Sequence, residues 1–262
     1  MPVVTIEQHL LDQQRGFPEA TGEFTSLMYD IALAAKMIVR ETTRAGLVDI
    51  LGPAGSTNVQ GEEQQKLDIY SHNMLVRLLQ RTGRLCIMGS EEEPDPIAIP
   101  EEYERGNYAI LFDPLDGSSN ILYNIAVGTI FSIYHRVSPD DGQPGTIEDL
   151  LQPGYRQVAA GYVIYSSSTM LVYTAGNGVF GFTLDPTLGE FLLTHERLRF
   201  PDKPKYYAIN HGYTPYWSEG VRRYIERLTG MDPEHPQKPL SHRYIGSMVS
   251  DFAQDQVRKV LQ

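Results

Sequence analysis

Short apolar segments follow one another through the middle of the chain, between residues 85 and 194, and they constrain the fold more than any other feature. They are rich in valine, isoleucine, tyrosine and phenylalanine, and turn-forming residues separate them. Both properties are typical of buried β-strands. The sequence therefore predicts strands in residues 85–88, 108–112, 127–137, 157–167, 170–184 and 189–194, with a hairpin turn at Gly176-Asn177-Gly178 in the fifth segment.

Helices are predicted before this β-rich region. In residues 21–46 the apolar side chains recur at helical spacing, with Thr25 or a neighbouring residue as the N-cap and Gly46 at the end. Residues 51–64, rich in glycine, serine and asparagine, are predicted to form a mobile loop. A second helix follows and ends at Gly83. The apolar faces of the two helices contain Leu27, Ile31, Ala34, Ala35 and Ile38, and Leu67, Met74, Leu75, Leu78 and Leu79.

A proline-rich segment, residues 199–205, predicts a boundary between an N-terminal domain of residues 1–198 and a smaller C-terminal part of residues 199–262. A strand at 206–210 and a helix at 217–228 are predicted after it. The tail predicts a last helix, starting near Gly246, with apolar side chains at Met248, Val249, Phe252, Ala253, Val257, Val260 and Leu261. This order of elements indicates an α/β (α+β) fold in which sheets and helices form layers.

Two groups of carboxylates directly follow predicted strands. Glu91, Glu92 and Glu93 come after the first strand, and Asp113 and Asp116 come after the second. Such a concentration of negative charge is unfavourable unless a cation is bound there. Oxygen ligands of this kind favour Mg²⁺ or Mn²⁺ over zinc. The sequence therefore predicts a site for a hard divalent cation.

The turn that contains the two aspartates offers further groups. Pro114 fixes a backbone angle between them, and the Leu115 carbonyl is another candidate metal ligand. Gly117 and Ser118 follow, and their backbone N–H groups could bind an anion at a helix N-terminus. Metal-binding carboxylates beside anion-binding amides indicate metal-assisted phosphoryl chemistry. In the alternative interpretation the glutamates are a solvated charged run and the aspartates only cap a turn; the position of both groups after buried strands favours the metal site.

The composition limits the other functions. The formal net charge of −11 argues against nucleic acid or an anionic membrane surface as the main partner. The single cysteine, Cys86, excludes disulfides within the chain, and its place in a predicted strand favours a buried structural role over a nucleophile. Residues 52–58 lack the Gly-Lys-Ser/Thr of a Walker nucleotide site. No signal peptide or transmembrane segment is predicted, and a cytoplasmic enzyme is expected.

The acidic motifs and their neighbours resemble a known family. The series SEEE…FDPLDGSSNI is similar to the signature of the magnesium-dependent, lithium-sensitive sugar and inositol phosphatases. With NVQGEEQQKLD upstream and VGTIFSIY, LQPG and HRYIGSMVSD downstream, the blocks resemble class I fructose-1,6-bisphosphatase from about residue 20 to residue 251. The resemblance implies a layered α-β-α-β-α sandwich of the sugar-phosphatase type, with a shortened C-terminal part.

The resemblance also implies a hydrolase that removes the 1-phosphate of fructose 1,6-bisphosphate, with Mg²⁺ or Mn²⁺ as the cofactor. Its metal ligands would be Glu91, Glu92, Asp113, Asp116 and the Leu115 carbonyl. Asp68 would activate the attacking water together with Glu92. Without the motif, the favoured interpretation of Asp68 is an aspartate stabilised by the dipole in the first turn of a helix.

Two phosphate-binding sites are implied by the same resemblance. Gly117 and Ser118 would bind the 1-phosphate, and Gly246 and Met248 would lie beside the sugar. The other phosphate would be held by Asn210, Tyr213, Arg243 and Tyr244, although spacing alone would make the two tyrosines ordinary aromatic residues. In the family the matching arginine reaches in from a neighbouring subunit, so a homo-oligomer, a tetramer, is expected.

A regulatory site is implied as well. In the family an N-terminal helix binds AMP as an inhibitor, and this chain matches the pattern at Thr21, Glu23, Thr25 and Tyr108. Two positions depart from it, because Asn107 and His135 stand where family members commonly have a lysine and an arginine. Arg136, one residue later, could supply a cation instead. A lost charge-assisted contact is worth roughly 1.5–3 kcal/mol, so weak or absent AMP inhibition is expected.

Family members continue after the block HRYIGSMVSDF for several tens of residues, which bring a further acidic metal ligand and a lysine and a tyrosine for the substrate. This sequence gives AQDQVRKVLQ there. Exposed apolar surface is expected where the further block would pack. Two alternatives to a fructose-bisphosphatase remain open: a related phosphatase, for example one for sedoheptulose 1,7-bisphosphate, and a shortened, catalytically impaired homologue.

Overall fold

The computed structural model describes residues 3–16, 20–58, 61 and 63–256. In chain order its helices and strands are α1 (Ile6–Gln14), α2 (Glu23–Thr42), β1 (Pro53–Thr57), β2 (Glu63–Gln65), α3 (Lys66–Leu79), β3 (Leu85–Ser90), β4 (Ile97–Ala98), β5 (Tyr108–Asp116), β6 (Val127–His135), α4 (Ile147–Leu150), β7 (Gln157–Tyr165), β8 (Thr169–Thr174), β9 (Val179–Asp185), β10 (Glu190–His195), β11 (Tyr206–Tyr207), α5 (Glu219–Leu228), β12 (Ser241–His242) and α6 (Met248–Gln256). Short 3₁₀ helices cover Ser118–Tyr123, Gly154–Arg156 and His211–Tyr216.

Eight of these strands form one mixed sheet, in the spatial order β10-β9-β8-β7-β6-β5-β3-β4. β3 and β5 are parallel, and the other neighbouring pairs are antiparallel. Each strand predicted between residues 85 and 194 is present, and the predicted turn at Gly176–Gly178 joins β8 to β9. The prediction of an α/β fold built on a large sheet is confirmed.

One face of the sheet packs against α1, α2 and α3 and forms the main hydrophobic core. Alternate residues of each strand contribute to this core, as the period of two in a β-strand requires. All five apolar residues predicted for the face of α2 are buried. In α3, Leu67, Leu75 and Leu79 are buried, whereas Met74 and Leu78 are half-buried. The second helix therefore rests on the core along a narrower stripe than predicted.

The opposite face of the sheet carries α4 and α6. Leu150 of α4 packs with a small cluster that includes Cys86, and Val249 and Ala253 of α6 pack with Tyr162 and others. Cys86 is fully buried, and burial raises the pKa of its thiol to about 11, so the predicted structural role suits it. A groove of about 750 Å³ also lies on this face, with a mostly apolar lining from β3, β5, β6, β7, β8 and α6. This face therefore retains exposed apolar surface.

The start of α2 differs from the prediction. Gly22, with a left-handed φ of 84°, is the N-cap, and the Glu23 N–H donates to Thr21 Oγ1 over 3.4 Å. Thr25 lies inside the first turn, where its hydroxyl donates to Gln14 Oε1 of α1 over 3.0 Å. The pattern did not predict α1, so it could not show that Thr25 has a tertiary partner in place of a capping role.

The segment 51–64 was predicted to be a mobile loop, but β1 and β2 pair there as an antiparallel hairpin. Apart from Gln65, the described residues of both strands are exposed or half-buried. Backbone hydrogen bonds hold this hairpin rather than apolar burial, and a hydrophobic pattern does not detect them. Similarly, α2 ends at Thr42 and not at Gly46, because turns occupy residues 43–50.

The C-terminal part contains a separate parallel pair of two-residue strands, β11 and β12. α5 lies in the region of the predicted helix 217–228 and buries only Ile225. α6 corresponds to the predicted tail helix, but Val257, Val260 and Leu261 lie outside the described residues. Among the helices of the described chain, none has the length and apolar character that crossing a membrane requires.

Candidate active site

The two acidic groups lie side by side at the ends of neighbouring strands. β3 and β5 are in register at Ser90 and Phe112, and the Glu91 N–H donates to the Phe112 carbonyl over 3.1 Å. Asp113, the next residue of β5, is therefore a neighbour of the glutamates. Asp116 follows where β5 still pairs with Gly128 of β6. The parallel pairing of two strands thus brings the predicted carboxylates to one edge of the sheet.

The turn between the aspartates is fixed by buried polar groups. Asp113 Oδ1 accepts the Leu115 N–H over 2.9 Å. The Thr129 hydroxyl donates to the Pro114 carbonyl over 2.9 Å and also bonds the Tyr165 hydroxyl. Because Thr129 and Tyr165 are buried, leaving either group unpaired would cost roughly 1–3 kcal/mol. The position of both aspartates is therefore set by the sheet beneath them.

The carboxylates strongly influence one another. Burial and the neighbouring Asp116 carboxylate raise the pKa of Asp113 to about 7, and Glu92 and Asp68 add to the rise, while the hydrogen bond from the Leu115 N–H opposes it. A carboxylate whose ionisation is this unfavourable lies where a cation would be stabilised. The side-chain atoms available as metal ligands are all carboxylate oxygens. These residues therefore fit a hard divalent cation such as Mg²⁺ or Mn²⁺.

Two amides of the β1–β2 hairpin contact the glutamates. Asn58 Nδ2 donates to Glu91 Oε1 over 2.8 Å, and Gln64 Nε2 donates to Glu92 Oε2 over 2.5 Å. The predicted metal ligands are thus neighbours, and the hairpin amides bond one oxygen of Glu91 and one oxygen of Glu92. Within the described residues, three ligand-type side chains gather within 4.8 Å only in an exposed turn with its own local hydrogen bonds, at Asp232, Glu234 and His235.

Asp68 lies beside this group and also stabilises α3. It is buried in the first turn of the helix, where its Oδ2 accepts the Gln65 N–H over 2.6 Å as part of a capping box. Its charge nevertheless contributes to the raised pKa of Asp113. Asp68 therefore lies in the first helical turn, where the dipole favours an aspartate, and it also caps the helix. It lies within electrostatic range of the predicted metal ligands as well.

Gly117 begins the predicted anion-binding segment. It has a left-handed φ of 73° and precedes the 3₁₀ helix Ser118–Tyr123, so the predicted helix N-terminus is present. A Cβ on Gly117 would lie 2.7 Å from Ser247 Cβ, closer than real Cβ contacts. Both the backbone angle and the space therefore require glycine here. The backbone at Gly117 therefore packs directly against Ser247, the residue before α6.

Asp116 is joined to α6 directly. Its Oδ2 accepts a hydrogen bond from the Ser247 hydroxyl over 2.6 Å and another from the Val249 N–H over 2.9 Å. Asn120 Nδ2 donates to the Ile245 carbonyl over 3.2 Å. Gly246 and Met248, which the resemblance places beside the sugar, flank Ser247, and Met248 is exposed. The C-terminal helix is therefore part of the wall of the site.

The residues implied for the second phosphate surround the β11–β12 pair. Asn210 caps the 3₁₀ helix His211–Tyr216, and the Arg243 N–H donates to the Tyr207 carbonyl over 3.0 Å. The Arg243 guanidinium carbon lies 4.3 Å from the centre of the Tyr206 ring. Because β11 and β12 are parallel, Asn210 and Arg243 follow their strands at the same end. Two exposed aromatic side chains complete the group, Tyr213 and Tyr244.

The residues implied for regulation line a cavity of about 520 Å³, with Thr21, Glu23, Thr25, Tyr108, Asn107 and His135 among them. The rings of Tyr108 and His135 stack with their centres 5.0 Å apart. No lysine or arginine is found among the described residues of this lining. Arg136 does not compensate, because its guanidinium bonds the Ser138 hydroxyl and the Pro139 and Gln143 carbonyls instead.

Comparison with known proteins identifies the family of this chain. Residues 4–196 match the N-terminal domain family of fructose-1,6-bisphosphatase, and residues 200–259 match its C-terminal domain family. The chain belongs to the fructose-1,6-bisphosphatase family. Among class 1 fructose-1,6-bisphosphatases, that of Chlorobium luteolum is 56% identical over 250 residues, which are 95% of this chain and 74% of that protein. That of Nitratidesulfovibrio vulgaris is 52% identical over 252 residues, 96% of this chain and 74% of that protein.

Solved structures of the fructose-1,6-bisphosphatase family have the same fold. The holo form of Leishmania major fructose-1,6-bisphosphatase superposes with a TM-score of 0.86 at 38% identity, covering 97% of this chain and 76% of that one. The apo form of the same enzyme gives 0.81 at 36% identity, covering 97% and 75%. These matches confirm the sugar-phosphatase type of fold. The relatives are longer than the aligned region, as the resemblance implied.

Several groups that build the site of this fructose-1,6-bisphosphatase family member were not predicted. Asn58, Gln64 and Ser247 contact the carboxylates from positions 33, 28 and 131 residues away. Their blocks were recognisable, since Asn58 and Gln64 lie in NVQGEEQ and Ser247 lies between Gly246 and Met248. Their partners were not, because a single sequence does not show which side chains meet across such separations.

Proposed function

We propose that the chain hydrolyses the 1-phosphate of fructose 1,6-bisphosphate to give fructose 6-phosphate and phosphate, with Mg²⁺ as the cofactor and Mn²⁺ as a substitute. The observation that carries the proposal is the turn at the end of β5, where carboxylates lie side by side and where burial, together with the neighbouring Asp116, raises the pKa of Asp113 to about 7. So much negative charge favours a cation, and through the cation a phosphate. Membership of the family supports the choice of substrate.

The proposed roles of the residues follow from their positions. Asp68 and Glu92 would orient the attacking water and accept its proton, and the Gly117 and Ser118 amides would hold the 1-phosphate. A bound cation would neutralise charge on the phosphate and on the leaving oxygen. Its ligands would be Glu91, Glu92, Asp113, Asp116 and the Leu115 carbonyl.

The sugar and its second phosphate would be held in the C-terminal part. Gly246 and Met248 would contact the sugar, and the phosphate would be bound by Asn210, Tyr213, Arg243 and Tyr244. Tyr213 and Tyr244 are 59% and 48% exposed, so both side chains are accessible to a ligand. Sedoheptulose 1,7-bisphosphate is the second candidate substrate. The other alternative is a catalytically impaired homologue.

Phosphate release from each bisphosphate, with Mg²⁺ present and after its removal by a chelator, tests the proposal. Glu92→Gln should lose activity by a factor of 10² or more, since general acid–base groups contribute that much. Glu101→Gln, the same change at an exposed glutamate, should leave it unchanged. Equal rates on both sugars would indicate a dual-specificity enzyme. No release from a chain of verified mass would refute the activity and favour the impaired homologue.

We further propose that the chain forms a homo-oligomer, a tetramer. In the family, the arginine that matches Arg243 reaches into the site from a neighbouring subunit. The exposed positions of Tyr213 and Tyr244 support a site completed by another copy. Sedimentation velocity measures the mass directly, and a monomer at micromolar concentration would contradict this proposal. The cytoplasmic location and the division into residues 1–198 and 199–262 stay predictions of the sequence.

A further inference from the structure

The proposed metal ligand Asp116 is oriented by a helix that lies far away in the sequence. Its Oδ2 accepts the Ser247 hydroxyl over 2.6 Å and the Val249 N–H over 2.9 Å. No hydrogen bond to Oδ1 is found in the part of the chain that the structure describes. One carboxylate oxygen is therefore anchored and the other remains for a further interaction.

The anchor is buried and closely packed. Ser247 is 1% exposed, and its Oγ also accepts the Ser250 N–H over 3.2 Å at the start of α6. A Cβ on Gly117 would meet Ser247, and a Cβ on Gly128 would lie 2.7 Å from Val249 Cγ1. Asp251 holds the turn before α6 by accepting the Ile245 N–H over 2.9 Å. The Ser247 hydroxyl thus has little freedom to move away from Asp116.

We propose that Ser247 is a positioning residue for the metal centre: by donating to Oδ2 it sets the rotamer of Asp116 and directs Oδ1 towards the cation. This inference rests on the proposed function, because it assigns Asp116 to the metal. Groups that orient a metal ligand in this way typically change metal affinity or activity by 10–100-fold when they are removed. Ser247 itself need not touch the cation or the substrate.

Titration of the intact chain with Mn²⁺, followed by the electron paramagnetic resonance signal of the free ion, measures this effect without any turnover. Ser247→Ala should raise the dissociation constant for Mn²⁺ by 10–100-fold. Ser250→Ala is the matched control: Ser250, three residues later in α6, is 2% exposed, and its hydroxyl has no hydrogen-bond partner among the described residues. The control should stay within twofold of the parent. Saturating Mn²⁺ should restore most phosphate release in Ser247→Ala.

The outcomes separate the positioning role of Ser247 from the metal centre itself. An unchanged dissociation constant in Ser247→Ala, or an equal loss in Ser250→Ala, overturns the positioning role and leaves the proposed metal centre intact. A parent chain that binds no Mn²⁺ overturns the metal centre and this inference with it. If Ser247→Ala does not fold, Ser247→Cys fills nearly the same space with a weak donor, and it should show a smaller loss of affinity in the same direction.

Discussion

Replacing Asp113 by asparagine should stabilise the metal-free protein while it abolishes metal binding. Asparagine has nearly the same shape, and its Oδ1 can still accept the Leu115 N–H, which Asp113 binds over 2.9 Å. What changes is the charge, which lies close to Asp116, Glu92 and Asp68. The variant therefore separates two effects of the Asp113 charge: how much it destabilises the folded, metal-free protein and how much it contributes to metal binding.

The magnitude follows from the pKa of Asp113, which burial and Asp116 raise from 3.8 to about 7. The folded chain holds the proton of Asp113 more tightly than the unfolded chain does. The free energy of unfolding therefore falls as pH rises from about 4 to about 7, and this loss of stability is complete above pH 7. The raised pKa of Asp113 lowers the free energy of unfolding by about 4 kcal/mol at pH 8 and by about 1.5 kcal/mol at pH 5. Asparagine removes this cost, so the advantage of Asp113→Asn should be larger at pH 8.

Urea unfolding in the presence of a chelator, at pH 5 and pH 8, measures both values. Asp202→Asn makes the same change at an exposed aspartate and should have little effect. Saturating Mg²⁺ should stabilise the parent chain but not Asp113→Asn, since a ligand that binds only the folded state stabilises it. A metal-free Asp113→Asn chain that is no more stable than the parent at pH 8 would show that burial and the neighbouring carboxylates do not disfavour the charge of Asp113 as described.

Two further predictions concern other parts of the molecule. Asp149 is fully buried, and although burial alone would raise its pKa, hydrogen bonds from Ser138 and Thr146 hold that pKa below its usual value. Asp149→Asn replaces an acceptor by a donor and should lower the free energy of unfolding by roughly 2–3 kcal/mol in a denaturant titration; an unchanged midpoint would contradict the assigned role. AMP should inhibit weakly, because the described lining of the cavity that the resemblance assigns to AMP lacks a lysine or arginine. Asn107→Lys with His135→Arg should increase the inhibition at least tenfold, and tight inhibition of the parent in a dose curve would refute this.

The central strands of the main sheet could be predicted because they are short, almost continuous apolar runs. Residues 108–112, for example, form a continuous apolar run, and four of the five are buried in the structure. The face of α2 was equally clear, since a period of 3.6 placed its five apolar residues on one side. In both cases the apolar residues that define the element lie close together in the sequence, so the sequence pattern shows which of them are buried.

The remaining features depend on contacts between distant polar groups. β1 and β2 bury almost no apolar surface, so their composition indicated a loop. Thr25 was expected near a cap, but its hydroxyl bonds Gln14 of a helix that the pattern had not predicted. The acidic motif indicated a cation and an anion without showing that Ser247 holds Asp116. Hydrogen bonds of this kind leave no period in the sequence, and only the folded chain reveals their partners.

The link between Asp116 and α6 also orders events in time. The two partners are 131 residues apart, so at a synthesis rate of roughly 5–20 residues per second the aspartate leaves the ribosome about 7–26 s before Ser247. During that interval the strands around Asp116 can pair, but its carboxylate has no helix to hold it. The proposed site is therefore completed late in synthesis. A polypeptide interrupted before residue 247 would contain the whole acidic motif but not the serine that we propose orients Asp116.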